Sequence, residues 1–139
     1  MVNEFINVVT KKYADFSGRA PRREYWMYML WYVILIVALA IVFGVIGAAL
    51  MRDGSGFGLG NAVIGLVSLA LILPSLAVAV RRLHDTGRSG WWWLISFIPF
   101  GSIVLLVFMV LESQPGDNLY GPNPKGVDAP GYTSPSPAV

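Results

Sequence analysis

The chain has 139 residues, room for one domain, and 55% of them are hydrophobic while only 13% are charged. Ordinary soluble domains carry about 25% charged residues, so this balance excludes an ordinary soluble domain and favours a membrane class. Cysteine is absent, which excludes a disulfide framework, a Cys-based zinc site and a thiol nucleophile, and the net charge of +2 conceals a strong asymmetry along the chain.

Residues 1–24 hold five of the ten basic residues: Lys11, Lys12, Arg19, Arg22 and Arg23. Phe5, Val8, Val9, Tyr13 and Phe16 recur at three- and four-residue spacings, which predicts a short amphipathic helix lying in the membrane interface. A cleavable signal peptide is not expected, because the polar leader and the apolar run after it are both too long. Pro21 suits the first turn of a helix, and Arg22, Arg23 and Glu24 lead into Tyr25, Trp26, Tyr28, Trp31 and Tyr32. Aromatics at headgroup depth beside phosphate-seeking arginines are how a membrane helix begins.

The first apolar run, 25–51, would be about 40 Å long as one helix against a hydrocarbon core of about 30 Å. Gly44 and Ala48 form a small-xxx-small pair suited to close helix contact. Residues 52–61 (RDGSGFGLGN) are glycine-rich and read as the connection to a second helix, 62–80. Pro74 should kink that helix and leave one carbonyl short of its partner, with Ser75 placed to help satisfy freed backbone groups. A third helix is expected over 91–111, interrupted near its middle by Pro99 and Gly101. The tail from Glu112 contains two turn-forming clusters, and 126–139 is expected to be disordered. The predicted fold is therefore all-α: one membrane domain over 1–125, with three transmembrane helices and a short interfacial helix before them.

The central stretch, Arg81 to Trp93, places Arg81, Arg82, Arg88, the single histidine His84, and Asp85 between two apolar runs, followed by three tryptophans. Together with the leader it holds eight of the ten basic residues, and positive charge favours the cytoplasm. Three spans then put the N-terminus and the 81–90 loop inside, 52–61 outside and the C-terminus outside. Trp91, Trp92 and Trp93 spread around a helix, so at least one should pack on another helix.

Three stretches combine here: FSGRAPRREYW (Phe16 to Trp26), RRLHDTGRSGWW (Arg81 to Trp92) and GDNLYGPNP (Gly116 to Pro124). Together, over roughly residues 5 to 125, they resemble the bacterial inner-membrane family called domain of unknown function 805. The resemblance implies a small multi-span protein of the bacterial cytoplasmic membrane and carries no activity with it.

The residues themselves favour binding over catalysis. A His-Asp phosphohydrolase needs several histidines and this chain has one. Adjacent His84 and Asp85 point about 100° apart on a helix, a poor geometry for one to orient the other in a triad. No metal site, cofactor or nucleic-acid partner is expected. Arginine grips phosphate with two parallel hydrogen bonds, so Arg19, Arg22, Arg23, Arg81, Arg82 and Arg88, with Trp91, are the candidate contacts to an anionic phospholipid or a membrane-protein partner. His84, Asp85, Gly87 and Gly90 are expected to organise the loop, Pro74 and Pro99 to kink their helices. Asp15-Phe16-Ser17-Gly18-Arg19 echoes Asp85-Thr86-Gly87-Arg88, so an aspartate of one segment is placed to pair with an arginine of the other. A local Arg81–Asp85 pair at i, i+4 is the favoured competitor. The functional expectation is a non-enzymatic lipid- or protein-interacting membrane component, with a small oligomeric transporter or channel subunit as the alternative.

Overall fold

The computed structural model describes residues 2–126; of the stretch expected to be disordered, 126–139, all but its first residue lies outside them. It consists of α1 (Val2–Thr10), α2 (Arg22–Leu50), α3 (Ser55–Asp85), a 3-10 helix (Gly90–Phe97) and α4 (Gly101–Val110).

The α1 helix ends earlier than the apolar spacing suggests, because the Lys11 and Lys12 N–H groups both turn back to the Asn7 carbonyl. Its apolar face is used: Val8 is fully buried and Phe5 stacks on Tyr28 with ring centroids 5.4 Å apart. The chain then runs without helix to Pro21, which caps α2 from outside rather than occupying its first turn.

The α2 and α3 helices form an antiparallel hairpin about 45 Å long, enough to cross a 30 Å hydrocarbon core with several residues to spare. Their most apolar windows are only 6% and 28% buried inside the protein. A soluble core helix would hide that surface, so lipid must cover it.

The turn between them is four residues, not ten. Gly54 adopts a left-handed φ of 83°, and Asp53 Oδ1 accepts from the Ser55 N–H at 3.0 Å. The helix then starts at Ser55, inside the stretch expected to be a connection. Its glycines serve packing instead: a Cβ on Gly56 would overlap the Gly47 backbone, and one on Gly60 would lie 2.7 Å from Phe43 Cβ. Two backbones approach here as closely as small residues allow.

The α3 helix continues unbroken through Pro74. Proline has no N–H to give the Ala70 carbonyl four residues earlier. The Tyr13 hydroxyl, from the leader, donates to that carbonyl. Tyr28 Oη reaches the next carbonyl, Leu71, at 3.4 Å and shares a 2.7 Å bond with Ser75 Oγ.

The third apolar run does not form the single helix expected over 91–111. The 3-10 helix and α4 are joined by Ile98, Pro99 and Phe100, and Phe100 takes a left-handed φ of 65°. Gly101 sits so close to the Ile95 carbonyl that a Cβ would overlap it. The two legs therefore fold back on each other, with Trp92 edge-on to Phe108 at 5.7 Å. Each leg is about 15 Å long, half the hydrocarbon thickness. The run leaves from Gly90, against Val80, and returns to the same end of α3, where Arg82 Nε donates to the Met109 carbonyl at 3.1 Å. Pro99 thus sits in the turn of a helical hairpin rather than inside one continuous helix. Residues 112–125 accordingly lie beside the leader, not at the opposite end where three spans would have put them.

Candidate functional site: an arginine–aspartate clamp

The last turn of α3 is the meeting point of the leader, the hairpin and the tail. Arg81, Arg82, Leu83, His84 and Asp85 are all buried there, and the helix stops at Thr86, so the expected 81–90 loop shrinks to Thr86–Ser89. Asp85 is at the centre. Its Oδ1 accepts from Arg19 Nε at 3.0 Å, and its Oδ2 accepts from Arg82 Nη1 and from Ser113 Oγ.

Arg19 uses its whole guanidinium. Nη1 donates to the Gly116 carbonyl at 2.8 Å, and Nη2 to the carbonyls of Asp85 at 3.2 Å and Gln114 at 2.6 Å. Arg82 is equally engaged, with donors to the carbonyls of Ala20, Met109 and Leu111. Arg22 donates to the Val110 carbonyl at 3.1 Å and pairs with Glu112. Arg22 and Arg82 therefore cap the C-terminus of α4, where orphan carbonyls and the helix dipole both favour cations. Removing two arginines and one carboxylate from water is expensive, and the surplus positive charge is met here by at least six backbone carbonyls.

The favoured local Arg81–Asp85 pair does not form. Arg81 Nη1 binds Glu24 Oε1, which also accepts from Lys12 Nζ at 3.2 Å, while Asp85 takes the cross-segment partner Arg19. The echo between the two segments has a structural counterpart: Gly18 and Gly87 both sit at left-handed φ, 80° and 78°. In the leader copy, the Ser17 hydroxyl and N–H hold the Asp15 carboxyl below the usual carboxylate range. A side chain on Gly87 would also overlap Gln114, and one on Gly90 would lie 2.7 Å from Val80 Cγ1. Gly90 thus sets how closely the hairpin approaches α3.

His84 turns away from Asp85. Its Nδ1 lies 3.1 Å from the Gly18 carbonyl, and its ring stacks flat on Tyr120 at 3.9 Å. Asn118 Nδ2 donates to the His84 carbonyl at 2.8 Å. The tail is therefore a strap across the clamp, closed into a tight turn by the Asn118–Gly121 backbone bridge. Sequence reasoning gave Ser113, Gln114 and Tyr120 no role and read Asn118 only as a turn former; the signal available was the GDNLYGPNP stretch, which carried part of the resemblance without a stated purpose. Tyr13 and Glu24 were likewise missed as bonding residues.

Of the candidate phosphate contacts, Arg19, Arg81 and Arg82 are thus buried inside the protein, their bonds directed to its own groups. Arg23 keeps a side chain 71% exposed while pairing with Glu4. Arg88 donates to the Thr86 carbonyl and lies 4.1 Å over the Phe108 ring. Trp91 is 78% exposed, whereas Trp93 packs against the core that includes Tyr25, Tyr28 and Ala79, as at least one tryptophan had to. Among the described residues, no group of three or more His, Asp or Glu side chains stands together as a metal site would require.

Two long apolar helices, a short helical hairpin and a buried polar clamp at one end define a small all-helical integral membrane protein. The chain belongs to the family described as protein of unknown function (DUF805), which matches residues 13–122. That range begins at Tyr13, the residue that serves Ala70, and ends one residue after the strap's bridge at Gly121. Among its relatives in Escherichia coli K12, inner membrane protein YhaI is 44% identical, over 84% of this chain and 92% of that one. Inner membrane protein YhaH is 40% identical over 84% and 93%, and the uncharacterized protein YiiR 29% over 81% and 88%. These likenesses and the apolar helices make it an inner-membrane protein. No solved structure matches the chain.

Proposed function

We propose that this is a non-enzymatic inner-membrane component that meets anionic phospholipid through the face surrounding the clamp. The observation that carries the reading is the division of labour among the arginines. Arg19, Arg81 and Arg82 are buried in the fold, while Arg22 and Arg23 keep part of their side chains exposed, and Arg88 lies over Phe108, the ring that Trp92 meets edge-on. Basic side chains and tryptophans at the ends of apolar helices suit a headgroup layer. The positive-inside rule puts this face, with the leader and residues 112–125, in the cytoplasm, and the Met51–Gly54 turn outside.

Catalysis is not part of the reading. Asp85 already accepts three side-chain donors and His84 bonds Gly18, so neither is arranged as an acid–base pair with the other. The test is anionic-lipid enrichment around the protein in mixed vesicles. Each basic residue near the surface contributes about 1 kcal/mol, so Arg23→Ala with Arg88→Ala should lower enrichment roughly tenfold or more. Unchanged enrichment in a folded variant would refute it.

The break at Ile98–Phe100 gives a second reading some support, since discontinuous helices line sites in transporters. That reading needs several copies around the hairpins. Absence of ion or solute flux in reconstituted vesicles would dismiss it.

A further inference from the structure

The face around the clamp contains a groove of about 420 Å³ between the leader, α3 and the start of the hairpin. Phe16, Leu76, Val80, Trp93 and Leu94 make it apolar along its length, and His84 and Ser89 stand at its polar end. We propose that this groove holds one glycerophospholipid of the surrounding membrane, selected for a headgroup that carries an N–H or O–H donor. The inference rests on the reading that this face meets lipid, and it adds a site with its own chemistry.

Three observations lead there. The groove runs from membrane-depth residues of α3 up to its last turn, so one occupant must be apolar at one end and polar at the other. Its volume admits part of an acyl chain and a glycerol. Finally, His84 is 91% buried yet offers an unused atom to the groove. Its Nδ1 faces the Gly18 carbonyl, which only accepts, so Nδ1 carries the proton. In the uncharged ring Nε2 is then a lone-pair acceptor, and among the described residues no protein group donates to it. The Tyr120 ring covers one face of the imidazole and fixes its orientation. Beside it, Ser89 Oγ accepts from the Trp91 N–H at 3.4 Å and keeps its own proton for an ester or phosphate oxygen. The polar end thus presents one acceptor and one donor. A primary ammonium or a glycerol hydroxyl satisfies the acceptor; a trimethylated ammonium has no proton to give.

The experiment reconstitutes the full chain in phosphatidylcholine vesicles containing a minority of phosphatidylethanolamine with the same acyl chains. The protein is then re-extracted gently and its retained lipids are weighed by native mass spectrometry. The parent should hold one phosphatidylethanolamine per chain in preference to phosphatidylcholine. Leu94→Trp adds an indole to the groove from a half-exposed position and should lose that lipid while unfolding at the parent's temperature. His84→Asn places a side-chain amide where Nδ1 was, keeping the Gly18 bond and deleting Nε2; its preference should fall about fivefold, the worth of one net hydrogen bond. Equal retention of both lipids by the parent, no retained lipid, or a Leu94→Trp variant that keeps the lipid would overturn the proposal. Both lipids are zwitterionic, so the surface arginines do not decide the outcome. Should the arginine reading fail, anionic enrichment is indifferent to Arg23 and Arg88 while the groove lipid stays. Should the groove fail, selectivity vanishes with anionic enrichment intact.

Discussion

Arg19 and Asp85, 66 positions apart, form a 3.0 Å ion pair with side chains only 1% and 0% exposed. One bond of this kind joins the leader to the end of α3. Nη1 and Nη2 of the same guanidinium also donate to tail carbonyls, so three segments far apart in sequence share one arginine. Asp85→Ala leaves Arg19 and Arg82 buried without their carboxylate, and breaking a buried pair in this way costs about 3–5 kcal/mol. We expect a large drop in thermal stability in detergent, with Arg19→Ala similar and the double variant far from additive. Additive losses below about 1 kcal/mol each would show that the clamp does not hold the fold.

The glycines of the α2–α3 crossing offer a contrast within one helix. Gly56→Ala forces a methyl into the Gly47 backbone, and overpacking costs about 1–3 kcal/mol. Gly58→Ala meets open space two residues along and should be neutral or stabilising through helix propensity. Thermal unfolding of the two variants side by side checks this, and equal behaviour would contradict the crossing.

Tyr13 and Pro74 should be coupled through the Ala70 carbonyl. Tyr13→Phe removes the donor and is expected to cost about 1 kcal/mol in the parent. In a Pro74→Ala background the helix supplies its own N–H, so the same change should cost little. A double-mutant cycle measures the difference; a coupling of zero would mean the tyrosine hydroxyl does not serve that carbonyl.

Attachment of the strap should weaken in acid. Lys125's hydrogen bond, and then Arg22, hold the Glu112 carboxyl below the usual carboxylate range. A carboxylate whose folded value is depressed contributes fully above its unfolded value and loses that contribution as pH falls through the folded one. Amide-exchange protection over residues 112–125 should therefore decline below the ordinary glutamate range, and Glu112→Gln should remove that part of the pH dependence. A variant with the parent's profile would assign the effect elsewhere.

Much of the fold was legible. Apolar runs located α2 and α3, and the leader's spacing located α1. The third run misled because hydropathy measures apolar length, and 21 uncharged residues look the same whether they cross or return. Pro99 and Gly101 were visible, but only Phe100's left-handed turn and the bonds from Arg22 and Arg82 to the end of α4 distinguish a hairpin from a kinked span. Glycines 56 and 60 read as a loop because propensity disfavours glycine in helices, while a close crossing demands it. The arginines read as surface charges because burying one requires partners, and most of those partners are backbone carbonyls of the leader, α4 and the tail that no residue type reveals. Asp85 was recognised as a possible partner for a leader arginine, though the local pair was preferred.

The side on which each segment lies can be read by cysteine labelling, because the chain has no cysteine of its own. Single cysteines at Lys11, Arg52 and Asp117 are labelled in intact and permeabilised membrane vesicles with an impermeant maleimide. If the third run is a re-entrant hairpin clamped to the leader, Asp117→Cys will label from the same side as Lys11→Cys and opposite to Arg52→Cys. Labelling of Asp117→Cys together with Arg52→Cys would make the run a third span and contradict the account.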